Sequence, residues 1–273
     1  DAIVNNVVSE YNGLGYSGTN SGGSLYITSS IFRNNKGGLA PNTLDSELLP
    51  PERETFIIGN LIENNNNYNS PATNSTYLSY GNGIVIAGGN NNIIKNNVIV
   101  DHDLYGVILT ASMDVNYWPA HGNRVEENLI LSSRKADIAV SGVSNLANCF
   151  EGNYFNTSIP PGLQALNGCE KNIIPLSADL SGLWSTIARL IYANTGDFYQ
   201  DDWRTLPAPE QQENMPIMQE IIDANDNGQY ELGFYQYLPS FRNSVKPAVN
   251  VYEDYKYTLK DVQLPQDAIK YLN

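Results

Sequence analysis

The chain holds two histidines, His102 and His121, and both lie in one acidic stretch. Asp101-His102-Asp103 comes first, then Asp114, then His121, Arg124, Glu126 and Glu127. Residues two apart on an extended segment share a face, so Asp101 and Asp103 can present paired carboxylates. A carboxylate pair beside a His can serve as general acid and base on a sugar. The candidate catalytic set is therefore Asp101, His102, Asp103, His121 and Arg124. The structural alternative is that Asp101 and Asp103 cap turns and His102 bonds backbone at a corner.

A second constellation lies near the C-terminus. Asp223-Ala224-Asn225-Asp226-Asn227-Gly228 matches the opening of a Ca²⁺ loop, with side-chain oxygens at positions 1, 3 and 5 and a glycine for the sharp turn. Position 12 is Phe234, so Glu231 would have to replace the usual bidentate acid. The candidate ligands are Asp223, Asn225, Asn227 and Glu231, and a Ca²⁺ there would staple the tail. A metal-free Asx/Gly turn explains the same residues.

Cys149 and Cys169 are the only cysteines, and no C-x-x-C occurs. They predict one structural disulfide and an oxidising, extracellular or cell-surface location; two buried thiols are the alternative. The sequons at Asn74 and Asn156 are compatible with glycosylation. Net charge is −14, which argues against duplex nucleic acid and anionic membrane as partners and weighs against a polyanionic sugar. No apolar run is long enough to span a membrane. Charged residues make up only 16%, so Asn, Ser, Thr, Gly and 18 Tyr take the polar role.

What must position these groups is a repeat. One signature is Asn followed by apolar residues: Asn6-Val7-Val8, Asn60-Leu61-Ile62, Asn97-Val98-Ile99, Asn128-Leu129-Ile130 and Asn153-Tyr154-Phe155, with Ser30-Ile31-Phe32 as a variant. An apolar residue stands three positions before each: Ile3, Ile27, Ile57, Ile94, Val125 and Phe150. The other is a small residue followed by alternation: Gly83–Ile86, Gly106–Leu109 and Ala136–Val140. The uninterrupted spacings are 23 to 25 residues. Short period-2 strands broken by Asn/Gly turns cannot bury a face alone, but stacked coils can. Ile84, Ile86, Val107, Leu109, Ile138 and Val140 then form inward columns. Asn at one turn of successive coils can bond its neighbours above and below, and Asn tolerates the left-handed corner. A β-sandwich with Asn-rich turns is the rival, but it would not keep Asn in phase.

The "Asn-x-x-Asn-x-Ile … Gly-Ile-x-Ile" coil resembles the right-handed parallel β-helix, or pectate-lyase-like, superfamily over roughly residues 1–175. His102–Gly106, Asn148–Asn153 and the Pro207-x-Pro209-x-x-Gln212-x-Asn214-Met215-Pro216 stretch look like secreted bacterial β-helix proteins of undefined activity. The resemblance implies an all-β fold, a single-stranded right-handed parallel β-helix. It does not imply one activity, because lyases, hydrolases, epimerases, tailspikes and non-catalytic surface proteins share that fold. Lyases and epimerases of the superfamily use a basic residue near the sugar carboxylate, often with Ca²⁺; Arg124, Arg134 and Lys135 are the candidates here. The polygalacturonase set is absent: the coils hold no Asp-Asp pair, Gly-His-Gly or Arg-x-Lys.

Residues 176–273 read as a partly helical, partly irregular extension on that solenoid. Leu183, Ile187, Leu190 and Ile191 have helical spacing over 180–193, a natural cap for an open coil end, and a short helix is expected over 217–222. The outward residues Val85, Ile108 and Ala139 would make an apolar stripe, covered by the Tyr/Pro-rich tail or by a partner chain. The first residues begin in mid-repeat, so an N-terminal segment or a neighbouring subunit is expected over the first coil. Two functions remain in view. One is a structural or assembly module of the cell surface; the other is a polysaccharide-binding or polysaccharide-modifying enzyme.

Overall fold

Each alternating run pairs with the run one repeat away, not with its neighbour in sequence. In the computed structural model the described residues are 2–19, 21–45, 50–70, 79–113, 115–141, 147–170 and 262–272. They all fall in one of two units of the chain, residues 1–202 with 259–273. Three six-stranded parallel sheets carry the fold, and every coil contributes one strand to each. This is a parallel β-helix solenoid. Sheet 1 runs through Ala2–Asn5, Gly22–Thr28, Arg53–Ile58, Ile93–Lys95, Arg124–Glu126 and Cys149–Glu151. Sheet 2 runs through Val8–Glu10, Ile31–Arg33, Leu61–Glu63, Val98–Val100, Leu129–Leu131 and Tyr154–Phe155. Sheet 3 runs through Leu14–Thr19, Gly37–Asn42, Asn82–Ala87, Tyr105–Thr110, Ala136–Ser141 and Ser158–Ile159.

The register builds the core directly. Ile84, Val107 and Ile138 align across sheet 3, as do Ile86, Leu109 and Val140. All six are buried, as the period-2 pattern requires. Ile27, Ile57, Ile94, Val125 and Phe150 align in sheet 1, and Phe32, Ile62, Ile99 and Ile130 in sheet 2. One apolar cluster joins the three sets. Each such side chain contributes about 1.5–3 kcal/mol through burial. Val85, Ile108 and Ala139 do face outward, in a separate cluster with Tyr105 and Ala136. Ile108 and Ala139 are nevertheless buried.

Two residues make each corner. The first has positive φ: Asn6, Ser29, Gly59, Asn96, Glu127 and Gly152 between sheets 1 and 2, and Tyr11, Asn34, Asn64, Asp101 and Ser132 between sheets 2 and 3. The second is the ladder residue. Backbone N–H of Ser30, Asn60, Asn97 and Asn128 donates to Oδ1 of the next Asn in the series Asn60, Asn97, Asn128, Asn153, at 2.9–3.0 Å. Gln164, in the short helix Leu163–Leu166, closes the series by accepting from Asn153 N at 2.9 Å. The expected Asn stack is therefore present, but the left-handed residue is the one before the ladder Asn.

The first coil departs from the expected phase. Val4 aligns with Ile27, and Val8 with Ile31, so the ladder place falls on Val7. Asn6 is the left-handed corner residue instead, and Ile3, expected inside, is 52% exposed. The Asn5-Asn6 doublet offers two phases, and only the strand pairing chooses. Among the described residues the three first-coil strands are paired on one side only, and Val7 and Val8 are exposed.

Two additions interrupt the pattern. A small antiparallel pair, Ser112–Met113 with Tyr117–Trp118, stands between the fourth and fifth coils. Asp45 anchors it by accepting from Asn116 N (2.7 Å), Asn116 Nδ2 (2.6 Å) and Trp118 Nε1 (3.2 Å). These hydrogen bonds, the Asn116 backbone N–H foremost, hold the Asp45 carboxyl below its usual pKa. Residues 262–272, ending in the 3₁₀ helix Gln266–Tyr271, lie on the outer face of sheet 2, where Ala268, Leu264 and Tyr271 pack with Leu61, Val98 and Val100. The expected helices over 180–193 and 217–222 lie outside the described residues.

Candidate functional site

His102 occupies a ladder position. At the corner between sheets 2 and 3 the series is Asn12, Asn35, Asn65, His102. Asn12 N donates to Asn35 Oδ1 (2.9 Å), Asn35 N to Asn65 Oδ1 (3.2 Å), and Asn65 N to His102 Nδ1 (3.4 Å). Each amide also donates to the coil before it, Asn35 Nδ2 to Ser9 O and Asn65 Nδ2 to Phe32 O. The Ile62 carbonyl stands in the matching place beside the imidazole. The ring is wholly buried, and among the described residues Nε2 has no hydrogen-bond partner. Burial pulls its pKa down to about 4, against the opposing Ile62 carbonyl and Asp103. A neutral, enclosed ring of this kind holds a corner, and it cannot protonate a substrate that does not reach it.

The two flanking carboxylates diverge. Asp101 is exposed and supplies the left-handed residue of the corner, φ 64°. Asp103 is half-buried; its N–H donates to Asn66 Oδ1 (2.7 Å) and its carboxylate accepts from Tyr80 OH (2.9 Å) and Arg134 Nη1 (3.2 Å). Around it stands an aromatic group that the sequence reading passed over. Tyr68, 45% exposed, meets Tyr80 edge to face at 6.2 Å, and Lys36 lies 4.9 Å over the Tyr68 ring. Burial lowers the Lys36 pKa. Nothing in the Asn-Asn-Lys stretch marked that lysine as buried, since its surroundings come from the next coils.

His121 and Arg124 lie at a different corner, the entry to sheet 1. His121 is exposed and bridges in parallel to Asn90. Arg124 is paired with Glu126, its Nε donating to Oε1 at 2.6 Å, and Lys95 approaches the other oxygen at 3.6 Å. The five candidate catalytic residues are thus divided between two corners of the coil. Arg134, the other basic candidate, is the exposed partner of Asp103, and Lys135 lies over the Tyr105 ring at 4.9 Å.

A third ladder, Asn92, Asn123, Asn148, lines the sheet 3 to sheet 1 corner. Its far end holds Glu52, a fully buried carboxyl that sequence reading missed. Thr55 Oγ1 donates to Oε1 (2.6 Å) and Asn92 Nδ2 to Oε2 (2.8 Å). Burial raises the Glu52 pKa to about 7, with the two hydrogen bonds and Arg53 opposing.

Cys149 and Cys169 form the expected disulfide, with Cα atoms 4.9 Å apart. Glu126 lies close to both sulfurs, the one grouping of three potential metal donors among the described residues. Both thiols are consumed in the disulfide and Glu126 is held by two cations, so no metal centre is built there. The candidate Ca²⁺ ligands Asp223, Asn225, Asn227 and Glu231 lie outside the described residues, as does the sequon at Asn74. No helix among the described residues is long and apolar enough to cross a membrane. A scan of protein-family models and searches of curated proteins and of solved structures each found no match.

Proposed function

We propose that the chain is a scaffold or assembly module, a single-stranded right-handed β-helix of a secreted or cell-surface protein. The observation that carries this is the place of His102: the best general acid/base candidate is an enclosed ladder rung, and its expected partners His121 and Arg124 stand at another corner. The disulfide supports an oxidising location. The exposed Ile3, Val7 and Val8 of the first coil support assembly with a neighbouring subunit. The test is a reducing-end and unsaturated-product assay over a polysaccharide panel, with and without Ca²⁺. A scaffold yields no product on any substrate; product formation abolished by Asp103→Asn overturns the proposal.

A second function, polysaccharide binding, has one observation in its favour. Exposed Tyr68 and Arg134, with half-buried Tyr80 and Asp103, place a ring face beside a carboxylate and a guanidinium at one corner. Glycan-array binding lost on Tyr68→Ala, without product formation, supports it.

A further inference from the structure

Residues 262–272 add no strand to any sheet. Their backbone bonds Ala268 N→Pro265 O and Leu272 N→Ile269 O close within the segment, while Gln263 N reaches Ser29 Oγ at 3.1 Å. The grip on sheet 2 is otherwise made by side chains. Ala268 is fully buried against Leu61, Val98 and Val100. Asp267 pairs with Arg33 at 2.8 Å; Lys270 Nζ and Tyr271 OH meet Glu63 Oε2 at 2.8 and 2.7 Å.

The charges beneath the segment do not depend on it. Arg33 also holds Glu10 at 2.8 Å and lies 3.7 Å from Glu63. Lifting the segment therefore leaves Arg33 and Glu63 paired with each other, and no buried ion is orphaned. What it uncovers is a regular row of Ile31, Leu61, Val98 and Leu129, aligned by strand register and flanked by Arg33 between Glu10 and Glu63. Such a row is an unsatisfied apolar face. Sheet 3 also carries an outward apolar row, Val85, Ile108 and Ala139, but the contacts of residues 262–272 described here are made on sheet 2.

We propose that the outer face of sheet 2 is a peptide-docking surface, occupied in this chain by residues 262–272 as a releasable strap. The partner it fits has the strap's own chemistry: an apolar anchor, a small residue four positions later, an acid for Arg33, and a cation and phenol for Glu63. The strap releases at equilibrium while the solenoid stays folded.

Two measurements on the full chain test this. In hydrogen exchange, the amides of Ala268 and Leu272 exchange faster than those of Ile62 and Ile99, and their protection falls at high salt. Equal protection of strap and strands overturns release. In the second, a fluorescent peptide of residues 262–273 is titrated into Ala268→Glu, whose own strap is displaced, with Leu264→Ala/Tyr271→Ala as a second displaced variant. Both bind the peptide, and the wild type binds it weakly because its site is filled. Binding weakens by roughly tenfold from low to molar salt, as expected for a few solvent-facing ion pairs. Failure of the peptide to bind either displaced variant, with strand protection intact, overturns the docking surface. Binding by the variants without any effect of Glu63→Gln overturns the assigned specificity.

Discussion

The backbone N–H of Asn65 points at Nδ1 of His102 across a coil boundary, 3.4 Å away, in the place where Asn35 N meets Asn65 Oδ1 at 3.2 Å. An imidazole stands in for an amide, and it makes the poorer rung. Its Nε2 is left buried without a partner among the described residues.

His102→Asn completes the ladder, so it is expected to hold or raise stability at pH 7. His102→Ala removes the acceptor for Asn65 N and opens a cavity, costing about 2–4 kcal/mol. Urea unfolding of the two variants separates a structural histidine from a catalytic one, because a catalytic role gains nothing from Asn.

His102 also sets an acid limit. Its folded pKa is about 4, below the ordinary value of 6.5, so the native state binds fewer protons than the unfolded chain between those values. This contribution to stability is present above pH 6.5 and is lost as the pH falls towards 4. In His102→Asn that acid loss disappears, which is measured as an unfolding free energy that gains on the wild type as the pH falls from 7 to 4.

Glu52 acts in the opposite direction. Its folded pKa is raised from 4.5 to about 7, so the native state binds more protons than the unfolded chain in that window. Stability is favoured at low pH and falls as the pH rises from 4.5 through 7. Wild-type stability is then nearly flat where the two windows overlap. Glu52→Gln shows a rise in stability from pH 4 to 6.5, and His102→Asn a fall from pH 4.5 to 7. Parallel pH profiles for the two variants count against this assignment.

The ladder between sheets 1 and 2 is expected to be costly to interrupt. Asn97→Ala takes the Oδ1 acceptor from Asn60 N and Nδ2 and the Nδ2 donor from Ile57 O. With about 1–3 kcal/mol for each buried group left unsatisfied, a loss of at least ~3 kcal/mol follows. Asn66→Ala, half-buried at a corner of the preceding coil, costs far less. Thermal unfolding of the pair checks the ranking.

Cys149→Ser with Cys169→Ser lowers stability by roughly 3 kcal/mol, since the bond closes a loop with a sequence separation of 20. Thiol titration of the denatured, unreduced wild type finds none. Two titrating thiols would contradict the bond, and an unchanged urea midpoint would show that the last coil needs no clip.

Much of this protein is local enough to read from the chain. Alternating Ile and Val in short repeated runs cannot bury themselves within one coil, so stacking and the inward set Ile84, Val107 and Ile138 follow from pattern alone. The ladder Asn at 60, 97, 128 and 153 follows for the same reason, because a buried amide at a repeated corner finds its partners only in the coils above and below. Tertiary structure decided the rest. The phase of the first coil rested on strand pairing, since Asn5 and Asn6 are equivalent in sequence. His102 looked reactive beside two acids, and only its burial in a column of amides made it a rung. Glu52 carries no motif, and its shifted titration comes from enclosure by Thr55 and Asn92. The docking of residues 262–272 joins positions more than two hundred apart, such as Glu63 and Tyr271. No local periodicity encodes such a contact, because it depends on which outer face the folded solenoid leaves apolar.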